Sequence, residues 1–266
     1  MKIFDLSQPV TQNVGEPVPV AIDLLSHTAG AAVLGVSHGL SAVDFPDGYA
    51  ISMETVTLAT HTATHIDAPL HYGPLCKGDP AKSIDLVPLD WFFGPGIVLH
   101  FDADPEKGPV TAGEMHLALE TLPRAPRPGT IVLCDVGAAR LWGRPEYFTH
   151  FRGITCAALE LLLDRGVRVV GTDAFGMDPP FAQMLDAYRS CGDMSVLWPA
   201  HVLGRSREYC QIERLSGLDC LPRAHDFTVA CFPIRLKDCG AAWTRAVAIF
   251  DDDRETGTSR PKVKPE

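Results

Sequence analysis

His61, His65, Asp67 and His71 fall within eleven residues, in the pattern H-x3-H-x-D-x3-H. A lone histidine is an ordinary hydrogen-bonding residue. Three beside one aspartate, flanked by Ala59, Ala63 and Ala68, are hard to explain as packing. Neutral imidazole nitrogen and a hard carboxylate oxygen suit a divalent cation, Zn²⁺ first and Mn²⁺ as the alternative. Two backbone geometries would bring the donors together. On a helix His61 and His65 would share a face, as in zinc-protease helices, although Thr62, Thr64 and Pro69 argue against a helix here. At the end of an extended strand His65 and Asp67 point the same way with period two, and a turn folds His61 back beside them.

Two other segments carry reactive residue types. Gly35-Val36-Ser37-His38-Gly39 matches G-x-S-x-G, the nucleophile elbow, which needs a strand before it and a helix after it. The following LSAVDFPDG cannot form that helix, so Ser37 reads as part of a flexible glycine loop. Farther on, LWPAHVLGRSREYCQIERL (197–215) places Glu213 twelve residues after His201. A turn and a short helix could return the carboxylate toward the imidazole. Taken alone, the pair fits equally a backbone-bonded histidine and a solvated helix charge.

These residues need a scaffold, and the chain supplies its elements. IFDLS (3–7) and METVTLAT (53–60) read as strands, while 11–50 carries scattered Gly and Pro with little periodicity and reads as long loops. GIVLHFDA (96–103) and GTIVLCDVG (129–137) are buried strands. Thr111 opens a helix with Glu114 completing a capping box. TCAALELLLDRG gives a helix capped by Thr155 and stopped by Gly166, leading into the strand VRVVGTD (167–173). Strand, helix and strand in that order predict a βαβ unit in a partly parallel sheet. FTVACFPIRL (227–236) and RAVAIF (245–250) are further strands. The expected organisation is one α/β domain over 1–250, followed by a polar tail, 251–266, that frays or crosses to a partner subunit.

Composition narrows the function classes. Acids outnumber bases 33 to 23, for a net charge of −10, which disfavours nucleic acid and anionic membrane as partners. The opening MKIFDLSQPV has no apolar leader core, and no apolar run reaches the roughly 18 residues of a membrane helix. A cytoplasmic protein is expected. The eight cysteines include no CxxC, so neither a zinc ribbon nor a dithiol redox pair is available. Phe45, Tyr49, Trp91 and Phe175 could shape a pocket or pack in the core.

HTATHIDAPLH (61–71) resembles the signature of the metal-dependent cyclase-type hydrolases, which include bacterial kynurenine formamidase and isatin hydrolase. The resemblance continues through GTDAFGMDPP (171–180), the His201–Glu213 spacing and FPIRL…TRAVAIF. It implies mixed β-sheets flanked by helices, of the swivelling β/β/α kind, assembled as homodimers or homotetramers. It also implies that His61, His65 and Asp67 are metal ligands and that His71 transfers protons. His201 and Glu213 would complete the site, with Asp67 and Glu213 bridging where two ions bind. One departure bears on the substrate: QPVTQNVGEPVPVAID (8–23) lacks the early Trp with which kynurenine formamidases pack the substrate ring.

The expected activity is hydrolysis of a C–N or C–O bond in a small amide, lactam or lactone. The bound ion would activate water and polarise the carbonyl, and His71 would shuttle the proton. The alternative is a metal-dependent cyclase or dehydratase of secondary metabolism using the same site. A third reading, a non-catalytic metal- or ligand-binding protein, leaves the proton-transferring histidine without a use.

Overall fold

In chain order the elements are β1 (Lys2–Asp5), β2 (Ala21–Leu25), α1 (His27–Val36), β3 (Met53–Thr57), β4 (His65–Asp67), α2 (Pro69–Tyr72), β5 (Leu75–Cys76) and β6 (Asp79–Pro80). There follow β7 (Phe93–His100), α3 (Ala112–Glu120), β8 (Ile131–Asp135), α4 (Cys156–Leu163), β9 (Val169–Thr172) and α5 (Phe181–Cys191). The series ends with α6 (Pro199–Leu203), β10 (Cys210–Glu213), β11 (Phe227–Ala230), β12 (Ala241–Trp243) and β13 (Val247–Phe250). This computed structural model describes residues 1–12 and 15–251, so the expectation for the polar tail falls outside the described residues beyond 251.

Among the described residues nine strands form one mixed sheet in the order β1-β13-β11-β7-β8-β9-β10-β4-β12. Its centre, β7 to β10, is parallel, and antiparallel strands extend it on both sides. Every residue of β8 is buried, as in a parallel strand covered on both faces. Val132 and Cys134 meet Met115 and Leu119 of α3 and Leu159 and Leu162 of α4. Ile131 and Leu133 enter a second core with Ile66, Ile212 and Phe227. Full burial of each such aliphatic side chain contributes about 1.5–3 kcal/mol, so the two cores fix the sheet that carries the site.

The predicted caps and crossover are present. Thr111 Oγ1 accepts from Glu114 N at 3.2 Å while Thr111 N donates to Glu114 Oε2 at 2.9 Å. Thr155 caps α4, Gly166 takes φ +80 after it, and α4 carries the chain from β8 to the parallel β9.

The segment read as loops, 11–50, instead contains β2 and α1, and β2 pairs with β3 apart from the main sheet. After His27 and Thr28, HTAGAAVLGV is made only of small and apolar residues on every side, so no helical stripe marks it, but Ser26 caps it. Its two glycines are demanded by close approach: a Cβ at Gly30 would lie 2.4 Å from Ile51 O, and one at Gly35 2.6 Å from Leu40 O. Ser37 therefore follows a helix and sits exposed at its C-cap, the reverse of an elbow.

Candidate metal centre

Strand pairing puts the first cluster in place. β4 runs antiparallel to β10, with His65 opposite Glu213 and Asp67 opposite Gln211. Alternate residues share a face, so His65, Asp67 and Glu213 project together while Ile66 and Ile212 fill the second core. Of the two geometries open to the motif, the strand end is the one adopted. A turn in which Thr62 N donates to Ala59 O, with Ala63 left-handed at φ +53, folds His61 back toward them. Pro69 starts α2, whose single turn brings His71 round. Gly240 makes room there, since a Cβ would lie 3.2 Å from His71 Cα. Pro199 opens α6, which carries His201. Glu213 ends a buried strand and is not a solvated helix charge.

All six residues converge. His61 Nδ1 lies 2.9 Å from Asp67 Oδ1, and His65 Nε2 lies 3.4 Å from that same oxygen and 3.5 Å from Glu213 Oε2. His71 Nε2 and His201 Nε2 stand 4.0 and 3.8 Å from Asp67 Oδ2. His65 Nε2 and both Asp67 oxygens are nevertheless buried without a hydrogen-bond partner among the described residues. Buried polar atoms left unpaired are costly, and a cation shared among them removes the cost. Donor atoms of His61, Asp67 and His71 lie within 4.8 Å of one another, as do those of His65, Asp67 and Glu213. The residues therefore fit a divalent ion, and Asp67 belongs to both groups.

The protonation states follow from this crowding. Burial opposes the charged form of His65, but the Asp67 and Glu213 carboxylates outweigh it and raise its pKa to about 9. Burial likewise opposes charge on His201, and the hydrogen bond and charge of Asp178 raise it to about 9. Burial would raise Asp67, yet the imidazoles of His65 and His71 hold it well below the usual carboxylate range. Glu213 is lowered too, the pull of His65 and His201 overcoming burial and the Asp67 charge. His71 moves the other way: burial, aided by His61 and His201 against Asp67, depresses it.

A base whose folded pKa is raised stabilises the fold fully below its unfolded value, near 6.5, and loses that contribution as pH rises to about 9. Metal-stripped protein is therefore expected to lose several degrees of Tm between these values, at roughly 2–4 °C per kcal/mol for a chain of this size. Added Zn²⁺ should flatten the decline, because the ion takes the place of the protons. Thermal melts with and without chelator check this; a Tm that rises with pH in chelator would contradict it.

His61, His71, His201 and Glu213 line one part of a cavity of about 220 Å³, and Phe151, Phe175, Phe181, Trp198, Pro17, Pro179 and Met184 line much of the rest. Of the four aromatics singled out in the sequence, Phe175 alone is in this wall. Trp91 packs against the second core, Tyr49 meets His27, and Phe45 lies beside Gly35. Sequence reasoning missed Phe181 and Trp198, which stack at 5.0 Å. It also missed Arg214, whose guanidinium sits 4.3 Å from the Phe175 ring and pairs with the buried Glu16. The third omission is Asp178, which bonds His201. Its signal was its place ahead of Pro179-Pro180 in the second motif of the resemblance.

A family model described as "Putative cyclase" matches residues 4–179. Among solved structures, isatin hydrolase A from Ralstonia solanacearum is 20% identical with a TM-score of 0.73, over 94% of this chain and 92% of that one. Isatin hydrolase A from Labrenzia aggregata, bound to benzyl benzoate, is 22% identical with a TM-score of 0.70, over 94% and 93%. A structure described as a potential metal-dependent hydrolase with cyclase activity is 18% identical with a TM-score of 0.61, over 94% and 99%. These likenesses establish a common fold.

Proposed function

The chain belongs to the cyclase family, and on that premise we propose that it is a metal-dependent hydrolase of a C–N or C–O bond in a small amide, lactam or lactone. The observation that carries this reading is Asp67, buried, with both oxygens unpaired and common to two donor groups. His61, His65 and Asp67, joined by His201 and Glu213, are the residues to hold one or two ions, Zn²⁺ first and Mn²⁺ as the alternative. An ion bound there supplies Lewis acidity toward the carbonyl and lowers the pKa of water.

The proton work falls to His71. Its depressed pKa keeps the ring neutral near pH 7 and able to accept a proton. It faces the cavity, and among the described residues no hydrogen bond ties either ring nitrogen. It can take the proton of the attacking water and return it to the departing nitrogen or oxygen. One water is consumed, the acyl carbon keeps its oxygen, and the C–N or C–O bond breaks. The apolar and aromatic wall suits a neutral, compact substrate. The solved relatives named as isatin hydrolases favour a lactam among the three substrate types.

A specific observation favours the second reading, a cyclase or dehydratase: the neighbour described as a metal-dependent hydrolase with cyclase activity. Product mass separates the two, because hydrolysis adds one water. The deciding experiment is metal analysis of the purified protein with a screen of amides, lactams and lactones. Chelation is expected to abolish turnover, while Ser37→Ala keeps the rate within a few-fold. Turnover retained in fully metal-free protein would overturn the reading.

All eight cysteines are free thiols, which supports the cytoplasm as the compartment proposed for this protein. No helix of the described residues is long and apolar enough to cross a membrane. A homodimer or homotetramer is the assembly proposed, and the exposed apolar side chains of Val33, Val36, Val43, Ile51 and Met53 are surface that a second copy would cover.

A further inference from the structure

We propose that Asp178 is the positioning residue of His201, its carboxylate holding the imidazole proton on Nδ1 so that Nε2 is the nitrogen presented to the metal centre. The inference rests on the metal-dependent reading above and extends it to a residue outside the donor groups. Asp178 is almost fully buried. Its Oδ1 accepts from Ala200 N at 2.5 Å, and its Oδ2 accepts from His201 N at 3.3 Å and from His201 Nδ1. Both oxygens thus already accept from the backbone or ring at the start of α6, and these bonds mark Asp178 as a support of His201. A neutral imidazole carries one N–H. With that proton bonded at Nδ1, the lone pair is at Nε2, which stands 3.8 Å from Asp67 Oδ2. A carboxylate behind a ligating histidine orients the ring and raises its basicity.

Two other imidazoles of the site set His201 in context. His65 is fixed in the same sense, its Nδ1 donating to Ala63 O at 2.8 Å and its Nε2 facing Asp67 and Glu213. His71 has no such support among the described residues, as its separate task requires.

Asp178 is itself held rigidly. A Cβ on Gly153 would lie 2.5 Å from Asp178 C and 2.3 Å from Pro179 N, so the Asp178–Pro179 peptide packs directly on that glycine backbone. On the other side Trp198 takes φ +49 and ψ +49 immediately before α6. Bulky residues rarely adopt this left-handed conformation. It turns the chain so that the amides of Ala200 and His201 meet the carboxylate.

The test is Co²⁺ titration of metal-free wild-type protein and of Asp178→Asn, followed by absorption spectroscopy, with far-UV circular dichroism confirming the fold. Asparagine keeps one oxygen but turns an NH₂ toward donors. Co²⁺ affinity is expected to fall by roughly 10–100-fold, with an altered ligand-field spectrum. A purely structural role would lower Tm and leave affinity and spectrum unchanged, and that result would overturn the proposal. Should Asp178→Asn fail to fold, ¹⁵N NMR of the wild-type imidazoles in the Zn²⁺-loaded protein decides. The His201 proton on Nδ1 supports the proposal, and a proton on Nε2 refutes it. Wild-type protein that binds no Co²⁺ would overturn the metal-dependent reading and this inference together, whereas wild-type affinity in the variant would overturn only the inference.

Discussion

His71→Ala is expected to retain bound metal and to lose roughly 10²–10⁴-fold in kcat, the usual worth of a positioned acid–base group. The argument is one of contrast. His65 and His201 each have the far ring nitrogen bonded, to a backbone carbonyl and a carboxylate respectively. His71 is a third exposed, faces the cavity, and is the imidazole of the cluster whose pKa burial depresses. A ring that must accept and release a proton benefits from both freedoms. Yet His71 also belongs to a donor group with His61 and Asp67, so the outcome discriminates. Metal content and single-turnover rate measured on the same sample provide the check, with His61→Ala as the control expected to lose metal. Equal loss of metal in the two variants would make His71 a ligand.

How much of this was legible depended on whether each element carried a local signal. Strand β8 reads from sequence because burial on both faces forces an unbroken apolar run, IVLC. Helix α3 reads because its capping box is a reciprocal pair of bonds between two residues three apart. The strand-end form of the motif was legible in Thr62, Thr64 and Pro69, which oppose a helix. Strand β10 was not. Its four residues, Cys210–Glu213, alternate apolar and polar over too short a run to mark a strand, and the polar Gln211 and Glu213 are buried because they face the site. Only the long-range pairing with β4 reveals why a carboxylate belongs there. The same holds for Asp178, which reaches His201 across 23 residues of chain. Helix α1 was hidden for another reason, having no polar face after Thr28, with glycines that serve contacts rather than turns.

Asp67→Asn should abolish metal binding altogether, whereas Glu213→Gln should remove only the share that depends on the group His65, Asp67 and Glu213. Asp67 is the one residue common to both donor groups, and neither of its oxygens has another partner. Asparagine offers one neutral oxygen where two charged ones stood, and its NH₂ would face imidazole nitrogens 2.9 to 4.0 Å away from the present oxygens. The loss in affinity should therefore exceed the roughly 10–100-fold typical of residues that only support a ligand, with turnover falling in step. Stability separates this effect from misfolding. In metal-free protein the Asp67 carboxylate, together with that of Glu213, holds the His65 proton up to a pKa of about 9 against burial. Without it, His65 deprotonates more readily and its share of the Tm decline above pH 6.5 should shrink. Metal content by elemental analysis and Tm across that pH window, measured on one preparation, test both halves. Full wild-type metal content in Asp67→Asn would show that the ion is held elsewhere and would remove the basis of the proposed chemistry.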